Sequence, residues 1–600
     1  MRQRAFYLLK LFLVTLCIFV VAKIFFMLFN HSCHEFSLAD VLLVIQHGSS
    51  LDFSTSLYLF TVPFLLVIFS FWFPVSKLVF RIWYSLIAII LSLAFVADTS
   101  LYEFWHFKLD ASCLSYLETP TGAMASVSIG YLLVRLICLI LCGIIIYWVY
   151  DKITPVFQKA THRLIATIVA VLLIPLIVIG VRGGLGDSTT NIGQVYFSTN
   201  QFLNHSAVNP VFSFLSSTSK SGNYIVSYDY MSEQECGNLT NGLFFTSSNN
   251  ADTLLTTQRP NIVLIVMESC GGQFTSLGGH SEITPNLNRL GTEGISFSEC
   301  YANSWRTDKG MVSILSGYPS FPVTSVMKIP EKSRKMPSIT RSLQNAGYSN
   351  TFYYGGDINF TNMRSYVLGI GYDFLRWKAD YSLQDQSSCR WGVKDETMFQ
   401  SLLEDIMSEK SEHWMKTLLT LSSHEPWDVP THNLDDEVYN AFNYLDHCIG
   451  RFVYDLRKSP VWANTLVIIL PDHGYRYKGI GEMTRIYNHI PMLWIGGAVR
   501  KPTVIDRICN QSDLAATLLG QMGIAHDDFR FSRDVTSSEY RYPLAYHNST
   551  SCVSVIDSTG FIAYDLDAQT LIANESTDTE RLLEMARALL QLTSHDLINK

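Results

Sequence analysis

The chain has 600 residues, 48% of them hydrophobic, and a formal charge of −8. That balance argues against a nucleic-acid binder, which needs a basic surface. The apolar excess is crowded before residue 183, which argues against a single soluble domain.

Five apolar stretches fill that first part: Leu11 to Phe29, Leu57 to Val75, Ile82 to Val96, Gly130 to Tyr150 and Leu164 to Val181. Most approach the roughly 20 residues that cross a bilayer. The third is the shortest, with Trp83-Tyr84 near its start. Each could be a buried core helix, but five in succession with short polar loops argue for spans. The first is long for a secretory leader, and Phe29, Asn30 and His31 follow it instead of a small-residue cleavage site. Basic residues alternate between loops. Arg2, Arg4 and Lys10 precede the first stretch, Lys77 and Arg81 follow the second, and Lys152, Lys159 and Arg163 follow the fourth. The other loops are nearly free of them, Lys108 being the main exception. Basic loops stay in the cytoplasm. The pattern therefore places the N-terminus inside and the chain after about residue 183 outside.

Residues 183–258 read as a connector rich in Ser, Thr, Asn and Gly. Its one apolar patch, Val208 to Leu215, is expected on the membrane surface or against the following domain. The domain from 259 to 600 is long enough to bury a large core. Its alternation begins with Asn261 to Met267, which runs into Glu268. Ser349 to Tyr354 runs into Gly355-Gly356-Asp357, Met415 to Leu421 into His424, and Thr465 to Leu470 into Asp472-His473. Short apolar runs bounded by Gly, Pro and polar residues read as buried strands. They suit a parallel sheet covered by helices. Ligands of open α/β sheets bind outside the carboxyl ends of the strands. His489 precedes the apolar run Met492 to Ile495, so a structural role is expected for it. The last helix, Thr579 to Leu592, has amphipathic spacing and is expected to pack on the domain.

Cysteine says little. The outer ones are Cys236, Cys270, Cys300, Cys389, Cys448, Cys509 and Cys552, without zinc-type spacing. Cys270 lies near Glu268, but no thiol-activating His is local to it.

A carboxylate and an Asp-His pair at one sheet edge suit a divalent ion with mixed oxygen and nitrogen ligands, Mn²⁺ first and Zn²⁺ second. Mg²⁺ suits purely oxygen sites better. The nucleophile candidate is Thr307, ahead of the helical pattern Met311, Val312, Ile314 and Leu315 that Gly317 and Pro319 close. Its plain reading is an N-cap. A helix N-terminus also favours phosphate. Metal coordination, helped by Arg306 and Lys309, would activate the hydroxyl.

The segments PNIVLIVMES, RTDKGMVSILSGYP, LSSHEPW and ILPDHG, with Asn209-Pro210-Val211-Phe212 in the connector, carry a resemblance. The chain resembles the lipoteichoic acid synthase family of membrane phosphoglycerol transferases, in the alkaline phosphatase/sulfatase superfamily. The resemblance implies a five-helix transmembrane domain (1–182) and an α/β sulfatase-like extracytoplasmic domain (259–600) with a mainly parallel sheet covered by helices. It implies a manganese-type metal held by Glu268, Thr307, Asp472 and His473. Thr307 would be the nucleophile and His424 the acid/base group. The stretch Thr307-Asp308-Lys309-Gly310 lacks the C/S-x-P-x-R motif of true sulfatases, which disfavours sulfate-ester hydrolysis. Tyr354 to Arg364 is more like Gram-negative relatives that modify periplasmic glucans. Arg306, Asp357 and Arg364 are the candidate substrate contacts.

The implied activity is transfer of a phosphoglycerol head group through a phospho-threonine. The donor would be a phospholipid such as phosphatidylglycerol, and the acceptor an envelope glycan or glycolipid. The location would be a bacterial inner membrane. Three alternatives stand beside it: a phosphoethanolamine transferase, a phosphatase or phosphodiesterase of the same fold, and a non-catalytic membrane scaffold.

Overall fold

The computed structural model describes residues 2–600 except 32–34, 106–107, 110–112, 114–128, 158–159, 161, 187, 199, 219–224, 246–252, 482–483 and 550–551. Lys159 therefore lies outside the described residues. The chain forms two compact units, Met1–Gly222 and Asn223–Lys600. The boundary falls inside the segment read as a connector, 183–258.

The first unit is helical. Among the described residues, five helices are long and apolar enough to cross a membrane: α1 (Arg2–Phe29), α2 (Leu38–Phe69), α3 (Lys77–Trp105), α4 (Ile129–Ile153) and α5 (Arg163–Arg182). The helix α2 starts well before the apolar run that announced it and ends before Val75. Its start is a reciprocal cap, in which the Ser37 hydroxyl accepts the Asp40 N–H and the Asp40 carboxylate accepts the Ser37 N–H. The polar middle of the helix hides its extent from a hydropathy reading: Asp52, Ser54, Thr55 and Ser56 interrupt the apolar sequence, and the bundle buries them. Asp52 pairs there with Lys23 of α1 and accepts the Asn209 amide at 2.9 Å. Charges buried among such helices are kept in pairs. Two short helices follow, α6 (Gln201–Ala207) and α7 (Pro210–Thr218). Within the Val208 to Leu215 patch, Val211 of α7 joins the core of this unit and Phe214 packs against it, while Leu215 is exposed.

The second unit is built on an eight-stranded sheet. The strands are β1 (Asn261–Met267), β2 (Ile295–Phe297), β4 (Ser349–Tyr354), β5 (Phe374–Trp377), β6 (Trp414–Leu419), β7 (Thr465–Pro471), β8 (Met492–Ile495) and β9 (Thr503–Ile505). Their spatial order is β5-β4-β6-β1-β7-β8-β2-β9. The first five are mutually parallel, β8 is antiparallel to both its neighbours, and β9 is parallel to β2.

Every residue of β1, β6 and β7 is buried, because both sheet faces are covered. Successive side chains of a strand point to opposite faces. Ile262, Leu264 and Val266 accordingly join one core, with Met311, Ile314 and Leu315 of helix α8 (Thr307–Ser316). Val263, Ile265 and Met267 join the other, with Met398 and Leu402 of α9 (Asp395–Met407) and Phe442 and Ile449 of α10 (Glu437–Leu456). Burying such side chains contributes about 1.5–3 kcal/mol each, which holds the sheet rigid beneath its carboxyl edge.

A pair of short parallel strands, β3 (Cys300–Tyr301) and β10 (Cys509–Asn510), sets Cys300 beside Cys509. An antiparallel four-stranded sheet follows: β11 (Leu544–Asn548), β12 (Cys552–Asp557), β13 (Gly560–Asp565) and β14 (Thr570–Asn574). The last helix, α11 (Thr579–Asn599), packs on it through Leu582, Ala586, Leu589 and Leu590. It runs past Leu592 because Thr593, Ser594 and Leu597 are buried too.

Candidate active site

The sheet register brings the chemistry together. Tyr354 stands opposite Leu419, Leu419 opposite Val266, and Val266 opposite Leu470. Four strands thus reach the carboxyl edge in one row. One pair further on, Met267 is opposite Pro471, so the next residues, Glu268 and Asp472, leave the sheet side by side.

Ligand atoms of Glu268, Asp472 and His473 all lie within 4.8 Å of one another, and all three residues are buried. Asp472 Oδ1 accepts the N–H groups of Ser269 and His473, each at 2.8 Å, while the buried Oδ2 has no hydrogen bond. His473 Nδ1 donates to the Gly474 carbonyl at 2.7 Å. Its Nε2 then faces Asp472 Oδ2 at 3.4 Å and Glu268 Oε1 at 3.8 Å. With Nδ1 carrying the proton of the neutral ring, these are three facing acceptors. Either a proton on Nε2 or a cation has to lie among them. The donor set, two carboxylates and an imidazole oriented by a backbone carbonyl, fits a divalent ion.

The electrostatics agree. Burial, then the Glu268 charge, pushes the Asp472 carboxyl far up. Burial alone would lower the His473 imidazole, but the Asp472 and Glu268 carboxylates outweigh it and raise it.

Thr307 meets this cluster from the other core. Its hydroxyl donates to Glu268 Oε2 at 3.2 Å. Thr307 is the first helical residue of α8 and not the cap, a correction by one position. Arg306 holds the extended cap conformation, φ −146° and ψ 147°. Helix α8 reaches so close because of Gly310: a Cβ there would stand 2.2 Å from the Asp472 carbonyl oxygen. Gly310→Ala is expected to cost about 1–3 kcal/mol of stability through overpacking and to reduce activity by moving Thr307 from Glu268. Thermal melting checks it, and an unchanged melting temperature would show the contact to be loose.

A cleft of 420 Å³ opens over the cluster, with Thr307, Arg306, His424 and His473 on its wall and Trp305, Tyr354, Phe360, Trp391, Tyr475 and Tyr487 around them. Arg306 is half exposed there. Two other candidates do not line it among the described residues. Asp357 closes its own turn, accepting the Asn359 backbone and side-chain amides at 3.0 and 2.9 Å. Arg364 lies over the Trp377 ring at 5.9 Å, and the Asp380 and Asp357 charges act on it. Lys309 is also turned away, donating to the Phe321 and Pro322 carbonyls. Burial lowers its ammonium to about 8. His489 hands its Nε2 to the Ser298 carbonyl at 2.7 Å and is structural. Burial raises the Cys270 thiol, which makes it a poor nucleophile.

The structure adds residues that no periodicity pointed to. Ser269, at φ 59°, occupies the left-handed region that non-glycine residues rarely adopt. That bend lets its N–H reach Asp472 while its hydroxyl donates to Glu268 Oε1 at 2.7 Å. The Ser423 hydroxyl holds the Glu268 carbonyl at 2.7 Å. Gln511 is fully buried; its amide oxygen accepts the Asn303 N–H at 2.7 Å and its nitrogen donates to the Asp472 carbonyl at 3.0 Å. It ties the loop before Thr307 to the turn that carries Asp472 and His473. Asp395 accepts the Leu421 and Ser422 N–H groups, and burial holds its carboxyl up at about 6. The only local signal was the cluster Trp391-Gly392-Val393-Lys394-Asp395 between a loop and a helix.

The sulfatase family model matches residues 260–524. The chain is 23% identical over 299 residues to lipoteichoic acid synthase 2 of Bacillus subtilis, covering 44% of this chain and 45% of that protein. It is 22% identical over 307 residues to phosphoglycerol transferase I of Xanthomonas campestris, covering 47% and 43%. The chain thus spans about half the length of the curated relatives it matches. The crystal structure of an alkaline phosphatase superfamily protein from Vibrio parahaemolyticus superposes with a TM-score of 0.55 at 27% identity, covering 62% of this chain and 98% of that one. A mainly parallel sheet with Glu268, Thr307, Asp472 and His473 gathered at its carboxyl edge, in a segment that matches the sulfatase family model, gives the second unit an alkaline phosphatase/sulfatase fold, and the chain is similar to lipoteichoic acid synthases and phosphoglycerol transferases.

Proposed function

We propose that the protein is a membrane-tethered, metal-dependent transferase that moves a phosphoglycerol head group from phosphatidylglycerol to a glycan or glycolipid acceptor outside the cytoplasm. The observation that carries this is the Thr307 hydroxyl, at the start of a helix and 3.2 Å from Glu268 Oε2 in a buried two-carboxylate, one-imidazole cluster. The named relatives support phosphoglycerol as the transferred group.

Glu268, Thr307, Asp472 and His473 would hold the metal, Mn²⁺ first. A bound divalent cation supplies positive charge that eases loss of the Thr307 proton and neutralises phosphoryl oxygens. The start of α8 favours the anionic phosphoryl group through the partial positive charge of its N–H groups, and Arg306 adds a full charge at the rim. The Thr307 hydroxyl loses its proton to water, Thr307 Oγ1 forms the new bond to phosphorus, and the bond to the diacylglycerol oxygen breaks. Protonated His424, on the same wall, gives that oxygen a proton. An acceptor hydroxyl then passes its proton to His424 and bonds to phosphorus, the Thr307–phosphorus bond breaks, and the freed Thr307 oxygen takes a proton back from water. General acid–base help of this kind contributes about 10² to 10⁴ in rate.

The test is incubation of the full-length protein with Mn²⁺ and vesicles of phosphatidylglycerol or phosphatidylethanolamine, with diacylglycerol release as the readout. Release from phosphatidylglycerol is expected. Release from phosphatidylethanolamine alone would assign the other head group, and release from neither would refute the reading.

The basic-loop pattern gives a topology prediction. A reporter fused after Leu254 should be active only outside the cytoplasm, and one fused near Lys152 only inside. The opposite pair of results would remove the lipid-donor argument.

A further inference from the structure

His424 enters the cleft on a loop, so its aim has to be set by neighbours. Its Nδ1 lies 2.9 Å from the Glu425 carbonyl oxygen. A carbonyl only accepts, so Nδ1 carries the proton and Nε2 is the nitrogen left for the cleft. The same carbonyl receives a second donor, the Trp391 indole N–H, at 2.6 Å. Both lone pairs of that oxygen are thereby used. The Trp391 ring lies 4.4 Å from the His424 ring and is tilted to it by 59°. One side chain therefore packs against the imidazole and holds the carbonyl that orients it.

Trp391 is itself fixed. The Val393 N–H donates to the Gly355 carbonyl at 2.9 Å, and the Lys378 ammonium donates to the Trp391 carbonyl at 3.3 Å. At Gly392 the backbone passes so near that a Cβ would stand 2.2 Å from the Gly355 oxygen. Four residues on, the buried Asp395 carboxylate accepts the Leu421 N–H at 2.8 Å and the Ser422 N–H at 3.0 Å. Its own N–H donates to the Ser422 hydroxyl at 3.1 Å. The segment 391–395 thus grips the His424 loop at both ends, Asp395 before the histidine and Trp391 at it.

We propose that Trp391 is a positioning residue for His424: it fixes the Nδ1–H tautomer and directs Nε2 at the leaving and attacking oxygens. The inference rests on the proposed acid–base role of His424. Trp391 does not exchange the proton. It acts through the imidazole, as outer partners of a reactive side chain do when they lock its tautomer and orientation.

A double-mutant cycle tests this, because coupling appears only where one residue works through the other. Trp391→Phe keeps an aromatic face and loses the N–H. Diacylglycerol release from phosphatidylglycerol vesicles is measured for wild type, Trp391→Phe, His424→Ala and the double variant, with thermal melting of each. Trp391→Phe is expected to slow release about 10- to 100-fold, a part of the general acid–base contribution. On the His424→Ala background the same change should cost less than about 2-fold. A full loss on both backgrounds would overturn the proposal, since Trp391 would then act independently of His424. A wild-type rate for Trp391→Phe would overturn it too. His424→Ala at the wild-type rate would instead sink the acid–base reading and the inference with it. A Trp391→Phe loss matched by a collapsed melting temperature would count as a fold effect and against positioning; Trp391→His, which keeps a ring N–H, should then fail to restore the rate.

Discussion

Thr307→Ala is expected to stop both release of diacylglycerol and transfer to the acceptor, while the protein remains folded. The hydroxyl is the atom that forms the bond to phosphorus in the proposed cycle, and no neighbouring group stands in its place. Ser269 donates to Glu268 Oε1, and Ser304 turns its hydroxyl to the Arg306 carbonyl. Removing a covalent nucleophile elsewhere costs on the order of 10⁶ in rate. Thr307→Ser keeps the hydroxyl without the methyl that limits its rotation, and should retain a measurable fraction of activity. Intact-mass analysis after incubation with phosphatidylglycerol reads the adduct directly. Wild type should gain a glycerophosphoryl group on the Thr307 peptide and Thr307→Ala none. The same mass gain on Thr307→Ala would eliminate Thr307 and turn attention to Ser304 or Ser269.

Asp472→Asn separates metal binding from stability. Asp472 is fully buried, and burial together with the Glu268 charge disfavours its ionised form. A carboxyl whose folded pKa is raised costs stability when ionised, so the cost grows as pH rises above the unfolded value. Asparagine keeps the oxygen that accepts the Ser269 and His473 N–H groups and removes the charge. The metal-free Asp472→Asn protein should therefore melt higher than metal-free wild type at neutral pH. Its metal affinity should fall by more than the 10- to 100-fold that loss of an outer partner typically costs, and its activity with it. Wild type should gain stability from Mn²⁺ and the variant should not, since a ligand that binds only the folded state raises its stability. Melting curves with chelator and with Mn²⁺, beside metal analysis, give both answers. Full metal content in Asp472→Asn would remove Asp472 from the ligand set. A lower melting temperature in the metal-free variant would refute the repulsion.

The sequence alone carried the elements, because a strand buried on both faces has to be continuously apolar and a membrane-crossing helix has to be long and apolar. Asn261–Met267, Ser349–Tyr354 and Met492–Ile495 begin and end where their composition changes. It also carried the residues that leave those strands, since Glu268, His424 and the Asp472-His473 pair interrupt apolar runs with groups that are costly to bury without a purpose. Tertiary structure decided what stands beside what. The neighbours β4, β6, β1 and β7 are far from consecutive in the chain, and only their pairing sets Glu268 level with Asp472. Helical periodicity located α8 to within a residue, but the cap falls on Arg306, and only the long-range fold brings the Thr307 hydroxyl to Glu268. The same limit misplaced Lys309, Asp357 and Arg364, whose heads find carbonyls, a local turn and an indole ring away from the cleft. It hid the start of α2, because Asp52, Ser54, Thr55 and Ser56, which break the apolar pattern in mid-helix, are buried in the bundle. The role of Trp391 was hidden for the same reason: periodicity reports whether a side chain is buried, whereas its hold on the Glu425 carbonyl spans 34 residues of chain.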